Sequence, residues 1–345
     1  LVGSEMCIRD RLVVAVILSG IIYSLPNLVG GNAASFFPGQ KINLGLDLQG
    51  GSHLLLRVDI DAVQKERLET IAETVRQEFR GAKIRFSGLN LRDDAVTVRL
   101  RDAVDAVQAK AIFDDLGQNF STTVDDNNYR IAFNDAGIVD MQTKTIQQSI
   151  EIIRRRLDPD GTKEPVIQRQ GLDRVLVQLP GVDDPEAVKR LLGRTAKLTF
   201  QLVDTRMTAA EAIDRGRTPP GTVLLQSASG DGRSYVVEKR VMVSGEMLDS
   251  ASAGIDQNNR PAVNFALNTV GARKFGKVTG DNVGRPFAII LDGQVVSAPV
   301  IQSQIFGNGQ ITGDFTVAET NELSLILRAG ALPAPLIVME ERSIG

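Results

Sequence analysis

The chain of 345 residues is 43% hydrophobic, which provides for about two or three compact units and argues against a disordered protein. Its 39 basic and 42 acidic side chains leave a formal net charge of −3, and no stretch concentrates enough Lys and Arg to neutralise a row of phosphates, so we expect no nucleic-acid partner. Cys7 is the only cysteine and His53 the only histidine. An internal disulfide is therefore excluded, and we predict no catalytic residue, no metal site and no cofactor.

The first apolar run, residues 12–30, carries no charged side chain and predicts a transmembrane helix. Its part from Leu12 to Val29 would extend roughly 27 Å as a helix, enough to cross a bilayer. Arg9 and Arg11 precede the run, which favours a cytoplasmic amino terminus. A cleaved signal peptide is the alternative, because a cleavage site is available at Gly31, Ala33 and Ala34. Residues 1–11 begin without Met and match nothing that follows, so we interpret them as a non-native leader.

The next segment shows strand and helix patterns in alternation. Residues 41–49 alternate strictly between apolar and polar side chains, which predicts a half-buried strand. After Gly50 and Gly51, the run His53–Val58 predicts a second, more buried strand, in which His53 is structural. Apolar residues at near-helical spacing from Ile60 to Phe79 predict an amphipathic helix, and similar signals continue as far as Phe133.

The middle of the chain predicts a second set of elements. Isoleucine and leucine at steps of three and four residues mark a helix that ends at Leu157, and Val166–Gln170 and Arg174–Leu179 are predicted to pair as strands. Asp184 and Pro185 favour the start of another helix, and Leu198–Val203 predicts a strand. Counted from His53–Val58, the order strand, helix, strand, strand, helix, strand is that of a ferredoxin-like unit.

From Asp204 onward, loops rich in Gly, Pro, Asn and Asp separate short strands, which indicates a separate lobe. Its clearest element is a hairpin, in which two apolar runs flank the turn Asp292-Gly293. Thr316 and Glu319 have the spacing of a capping box, which predicts a helix that ends at Gly330. The run from Leu336 to Met339 is too short to span a membrane, and the chain stops soon after it, so we expect a truncated sequence.

Two motifs suggest chemistry but have simpler interpretations. Gly271–Val278 has the glycine and lysine spacing of a phosphate-binding loop, but Val278 replaces the hydroxyl that binds magnesium, and the segment reads as a helix with Thr269 as its cap. Asp47 lies in a glycine-rich strand without a second carboxylate at a catalytic spacing. We therefore expect it to accept a hydrogen bond in a tight turn.

A third motif is the consecutive triplet Arg154, Arg155 and Arg156. Such a triplet could bind phosphate or lipid head groups. However, consecutive residues on a helix point about 100° apart, so the three side chains do not converge on one ligand. We expect them to form a solvated or salt-bridged surface.

Several segments resemble, in order, the landmarks of SecD and SecF proteins. The segment from Asn43 to Gly51 (NLGLDLQGG) is similar to the signature that follows the first membrane helix of the family, and the longer spacing resembles SecD. Its characteristic residues are Gly45, Asp47, Gln49, Gly50 and Gly51. The later segments are IIRRRL, with Arg154, Arg155 and Arg156; EPVIQ, from Glu164 to Gln168; VQLPG, with Pro180 and Gly181; and LILRAGALPAPL, with Arg328, Gly330 and Pro333.

The resemblance, which covers about Leu12 to Gly345, implies an α+β fold: one transmembrane helix followed by a ferredoxin-like base (βαββαβ) with an inserted mixed α/β head lobe. By analogy the periplasmic base is residues 41–203, the head is residues 204–311, and the chain returns to the base at 312–331. Residues 332–345 would lead into a second membrane helix that this chain lacks. The proton-relay residues of the family lie in later membrane helices, so this fragment is not expected to pump by itself.

The function that the resemblance implies is assistance to protein export across the bacterial inner membrane, with most of this fragment in the periplasm. The expected partners are SecF, the SecYEG channel, the translocating preprotein and membrane lipid. The proton-motive force would drive a mobile head that captures the preprotein. In this interpretation the glycine-rich signature is structural.

Three other classes of protein stay open at this point. A porter domain of a related proton-driven efflux transporter would lack the NLGLDLQGG and LRAGALPAPL segments. A periplasmic hydrolase would need a convergent nucleophile and base. A freestanding periplasmic binding protein would have its leader removed.

Overall fold

A computed structural model describes residues 12–20, 51–159, 161, 165–181 and 184–344. Residues 12–20 are helical and exposed, and no helix within the described ranges is long and apolar enough to cross a membrane. The remainder of the transmembrane helix predicted at 12–30 and the strand predicted at 41–49 lie outside these ranges, so both stay predictions.

The described elements alternate between helices and short strands. Helices α1 to α7 are Ile60–Gly81, Ala106–Asp114, Asp135–Leu157, Pro185–Gly193, Ala209–Asp214, Thr269–Asp281 and Val317–Ala329. Strands β1 to β17 are Gly51–Val58, Phe86–Arg92, Ala95–Leu100, Phe120–Asp125, Asn128–Phe133, Val166–Gln170, Arg174–Pro180, Leu198–Leu202, Thr222–Gln226, Ser234–Glu238, Val243–Ser244, Leu248–Ile255, Pro261–Leu267, Phe287–Leu291, Gln294–Ser297, Asn308–Thr312 and Leu336–Ile344.

The first sheet has the strand order β17-β1-β7-β6, with antiparallel neighbours. It packs with α3 and α4 around a core that includes Leu54, Ile153 and Val175. We predicted the strand after α4 as the last member of this unit, and that was wrong, because β17 lies beside β1 and β8 belongs to another sheet. Leu54, Leu56 and Val58 are buried in β1, so this central strand needs partners at both edges. The segment predicted to lead into a second membrane helix supplies the second partner as β17.

A second sheet, with the order β2-β3-β5-β4, has a core of its own with α1 and α2. Helix α1 connects the two cores, because Ile60 and Val63 lie in the first core and Leu68, Val75 and Phe79 lie in the second. The sequence pattern predicted the strands and helices of this region but not a separate core.

The third core contains a cluster of phenylalanines and joins two sheets, β11-β8-β14-β15 and β12-β13-β16. Phe200, Phe265, Phe275 and Phe287 meet at its centre, with ring centroids 5.4 to 6.4 Å apart. Helix α7 packs against β12 and β13 through buried residues that include Leu323. Both β8 and α7 fall in segments that we assigned to the base, and here they pack with the strands that we assigned to the head.

Candidate functional site

Two chain segments connect the first core to the third, and they lie side by side. The first crossing, residues 193–197, runs from α4 to β8, and the second crossing, residues 330–335, runs from α7 to β17. The backbone N–H of Leu332 in the second crossing donates to the carbonyl oxygen of Thr195 in the first, at 2.8 Å. We call this region the joint.

Arg156 binds both crossings from the last turn of α3. It is 1% exposed. Its guanidinium makes four hydrogen bonds to backbone carbonyl oxygens: Nη1 donates to Leu191 at 3.0 Å and to Arg194, and Nη2 donates to Thr195 at 3.0 Å and to Gly330 at 3.1 Å. A landmark of the IIRRRL segment therefore contacts a landmark of the LRAGALPAPL segment.

The three consecutive arginines have different surroundings because of helical geometry. Ile153, Arg156 and Leu157 lie three and four residues apart, so they share the buried face of α3. Arg154 and Arg155 point to solvent and pair with Glu151, at 3.5 and 3.1 Å. The predicted salt-bridged surface is therefore confirmed for Arg154 and Arg155, and it is wrong for Arg156.

The Arg156 guanidinium donates to backbone carbonyl oxygens and not to a carboxylate. Burial lowers the pKa of Arg156 to about 10, and the negative charge of Asp292 opposes this effect. The guanidinium is therefore still charged at neutral pH. Helices α3, α4 and α7 all end near it, and the carbonyl groups at helix C-termini carry partial negative charge.

Asp292, in the turn between β14 and β15, fixes the first crossing. Its carboxylate accepts hydrogen bonds from the backbone N–H of Lys197 at 2.8 Å and of Ala196 at 3.1 Å, and from the Thr195 hydroxyl. Ala196 has φ +58°, a conformation that costs an L-residue about 1 to 2 kcal/mol. The hairpin turn thus holds a strained segment of the joint in place.

Two further landmarks, Gly51 and Pro180, meet at the start of β1. Gly51 has φ +140° and pairs with Pro180 at the end of β7. A Cβ atom on Gly51 would lie 2.1 Å from the carbonyl oxygen of Leu179 and 3.1 Å from the backbone nitrogen of Gly181. Only glycine permits this approach, which supports the structural interpretation of the signature. The other signature residues, Gly45, Asp47, Gln49 and Gly50, lie outside the described residues.

The remaining landmarks shape the second crossing. Gly330 has φ +100° and ends α7, whereas Arg328 is exposed on the last turn of that helix. Pro333 is half-buried between Leu332 and Ala334, which are both buried in the first core. The LRAGALPAPL segment therefore anchors the returning chain to that core.

Gly271 and Gly276, which have the spacing of a phosphate-binding loop, allow close packing against α6. Asn268 caps this helix by accepting from the backbone N–H of Gly271 at 2.9 Å, so the predicted cap at Thr269 was one residue late. A Cβ atom on Gly271 would lie 2.7 Å from the Met247 Cβ atom, and one on Gly276 would lie 3.0 Å from the Phe306 ring. The segment is helical throughout, so its backbone does not form a phosphate-binding loop.

An open groove of about 880 Å³ lies along α6. Its lining combines Ala272, Arg273 and Lys277 from the helix with Phe306 from the β15–β16 loop and Asn308 at the start of β16. Phe306 is 69% exposed, which is unusual for a phenylalanine and provides an apolar contact surface.

His53 lies in β1, as predicted. It is opposite Gln178 in β7 and Arg342 in β17. Its Nδ1 atom is buried and has no hydrogen-bond partner among the described residues. No group of three or more potential metal ligands occurs within the described ranges.

Comparison with known proteins assigns the landmarks to one family. Residues 35–59 match the SecD/SecF GG motif, residues 146–205 match the N-terminal part of the P1 domain of protein translocase subunit SecDF, and residues 222–334 match the SecDF P1 head subdomain. The chain is 42% identical over 328 residues to a protein translocase subunit SecD from Rickettsia felis, and 43% identical over 343 residues to one from Acetobacter pasteurianus. The chain belongs to the SecD family.

The SecD relatives are longer than this chain. The alignments cover 94% and 96% of the chain but 63% and 65% of the two relatives. A solved structure described as SecDF in a super-membrane-facing form aligns with 97% of the chain and 35% of its own length, with a TM-score of 0.52 and 23% identity, which is a likeness of fold. Residues 60–145, which contain the second core, lie outside the three matched family ranges.

Sequence reasoning singled out Arg156, Gly330 and Asp292 but not their shared role at the joint. Arg156 and Gly330 were recognised as landmarks, and Asp292 was recognised as a turn residue with positive φ. The carboxylate of Asp292 binds residues almost a hundred positions earlier, and no local pattern indicates such a contact.

Proposed function

We propose that this SecD-family chain is part of a subunit of the Sec protein-export machinery that assists proton-motive-force-dependent translocation of preproteins. It captures the preprotein in the periplasm and moves it by displacement of the head. The proposed partners are SecF, the SecYEG channel, the preprotein and membrane lipid. The proposed location is the bacterial inner membrane, with residues 12–30 as the anchor and most of the fragment in the periplasm.

The joint is the observation that carries this proposal. Two adjacent crossings connect two separate cores, and such a connection allows one lobe to rotate on the other as a hinged unit. The antiparallel order β17-β1-β7-β6 supports a ferredoxin-like base that is completed by β17. We infer that the moving head extends over about residues 196–329 rather than 204–311, because β8 and α7 pack in its core.

The groove along α6 supports capture by the head. An extended preprotein needs a surface that accepts many sequences, and apolar grooves with few specific contacts provide one. Phe306 offers the apolar contact, while Arg273 and Lys277 offer polar groups at the rim. A porter domain of an efflux transporter would lack the two landmark segments that this chain has.

Fixing the head to the base tests the proposal. Glu66, near the first-core end of α1, and Lys197, the last residue of the first crossing, form an ion pair between base and head, and both side chains are about half exposed. We expect that a cleavable bis-thiosulfonate crosslinker between Glu66→Cys and Lys197→Cys, in the full-length gene product with Cys7→Ser, blocks export of a preprotein into inverted membrane vesicles. Reduction should restore export.

A second crosslinked pair provides the control. Lys189 on α4 and Glu341 on β17 also form an ion pair, with 2.9 Å between Nζ and Oε2, but both lie in the base. The same crosslinker between cysteines at these positions should leave export unchanged. Normal export with the first pair fully crosslinked would show that the head does not need to move.

A further inference from the structure

We propose that Arg156 is a positioning residue that couples the two crossings, so that the head turns as a unit about the joint. This inference rests on the proposed function of the lobes. It assigns to one landmark arginine a role that differs from those of its neighbours Arg154 and Arg155.

The four acceptors of Arg156 are distributed over both crossings and the end of α4. The carbonyl groups of Leu191, Arg194 and Thr195 lie at the end of α4 and in the first crossing, and that of Gly330 lies in the second. One rigid, planar guanidinium therefore connects two chain segments that are more than 130 residues apart in sequence.

Moving one crossing alone carries an energetic cost. A guanidinium at 1% exposure that loses its acceptors would be an unpaired buried cation, which is strongly unfavourable. Asp292 carries the carboxylate whose negative charge acts on Arg156. This carboxylate binds the backbone of the first crossing and makes no hydrogen bond to Arg156 among the described residues. Displacement of either crossing from α3 is therefore opposed, so both crossings stay bound to Arg156 while the head turns about them.

Lysine at position 156 is not equivalent to arginine. An ammonium group is a compact point charge, whereas the two Nη atoms of arginine lie at fixed positions and bind different carbonyls. We expect Arg156→Lys to keep the buried positive charge, but its three N–H groups on a single atom leave at least one of the four carbonyl oxygens unpaired and so weaken the link between the crossings. This variant separates the coupling from the presence of the charge.

Distances between spin labels test the coupling directly. Leu172 is 68% exposed in the β6–β7 turn of the base, and Ser229 is exposed in the β9–β10 loop of the head. We expect labels at Leu172→Cys and Ser229→Cys, in the full-length protein in membranes with Cys7→Ser, to give narrow distance distributions. Arg156→Lys and Arg156→Met should broaden these distributions and reduce preprotein export, while Arg155→Met, which removes only a surface ion pair, should do neither.

Asp292→Asn provides a second test if the Arg156 variants fail to fold. Asp292 is exposed, and its replacement by Asn weakens its hydrogen bonds to the first crossing while Arg156 stays in place. We expect broadened distances here as well. Unchanged distances in Asp292→Asn, and in Arg156→Lys where it folds, would overturn the coupling role. A further outcome separates the two proposals. If the variants broaden the distances but export stays normal, and export also stays normal when Glu66→Cys is crosslinked to Lys197→Cys, then the coupling by Arg156 is correct and the proposed head movement is wrong.

Discussion

At the scale of single residues, three of the family landmarks of this chain contact or shape the backbone. Gly51 leaves room for a carbonyl oxygen, Arg156 binds carbonyl oxygens, and Gly330 provides a conformation that ends a helix. None of these contacts depends on the side chain of the partner residue. Such residues set the path of the chain.

The first residue-scale prediction concerns Gly51. We expect Gly51→Ala to lower the free energy of unfolding by about 1 to 3 kcal/mol, because the new Cβ atom meets the Leu179 carbonyl oxygen and φ is positive. Urea unfolding followed by circular dichroism measures this change. Gly81→Ala is the control, because a Cβ atom on Gly81 at the end of α1 would have no neighbouring atom within 4 Å, so this substitution should be neutral or slightly stabilising. Equal effects of the two substitutions would contradict the close approach.

The second residue-scale prediction concerns pH. Hydrogen bonds from the Arg206 side chain and backbone lower the pKa of Asp204 below its usual 3.8, with burial opposing them. A lowered pKa stabilises the folded state above the unfolded-state pKa, and this contribution is lost as the pH falls through the folded-state value. At pH 7 we expect Asp204→Asn to cost about 1.5 to 3 kcal/mol, with the difference from wild type shrinking below about pH 3.8.

Asp231 offers a matched control for this measurement. It precedes Arg233 by two residues and accepts from its backbone N–H at 2.9 Å, in the same arrangement as Asp204 and Arg206. The Asp231 side chain is 28% exposed, whereas that of Asp204 is 3% exposed. Asp231→Asn should therefore cost less. A difference for Asp204→Asn that stays constant down to pH 2.5 would contradict the assigned cause.

At the scale of elements, local patterns predicted α1, the end of α3, α4, α6 and α7 and several of the strands. The spacing of apolar residues predicted α1 and the end of α3, the Asp292-Gly293 turn predicted the β14–β15 hairpin, and the Thr316 capping box predicted α7. These features depend on residues a few positions apart, so the sequence displays them directly. The buried position of Arg156 had the same kind of signal, since it continues the apolar stripe of α3 from Ile153, but its charge concealed it.

Pairing between distant elements was not predictable in the same way. Both β8 and β17 follow a helix, and nothing in either run indicates which of them lies beside β1. The choice depends on burial: β8 is enclosed between β11 and β14, with Leu198, Phe200 and Leu202 in the third core. For the same reason the joint was invisible in the sequence, because its contacts join residues 156, 195, 292 and 330.

At the scale of the whole molecule, the described residues form three larger hydrophobic cores and a smaller fourth one that includes Val237 and Val295. The first holds the base, the third holds the proposed head, and the second occupies residues 60–145, outside the matched family ranges. Helix α1 connects the first core to the second, and the joint connects the first to the third. Separate cores allow separate local opening, because each cooperative unit is stabilised mainly by its own buried contacts.

Hydrogen exchange tests this division of the molecule. Phe113 is 3% exposed in the second core, with ring centroids 5.6 Å from Phe79 and 5.1 Å from Tyr129. Phe113→Ala removes contacts worth about 3 to 5 kcal/mol, so we expect faster amide exchange in β2 to β5 and little change in β1, β7 and β8. Phe200→Ala is the reciprocal variant, because Phe200 is 1% exposed at the centre of the third core, and it should accelerate exchange in β8, β13 and β14 instead. Acceleration of all sheets alike by either substitution would mean that the cores unfold together, and a head that moves independently of the base would then lose its structural support.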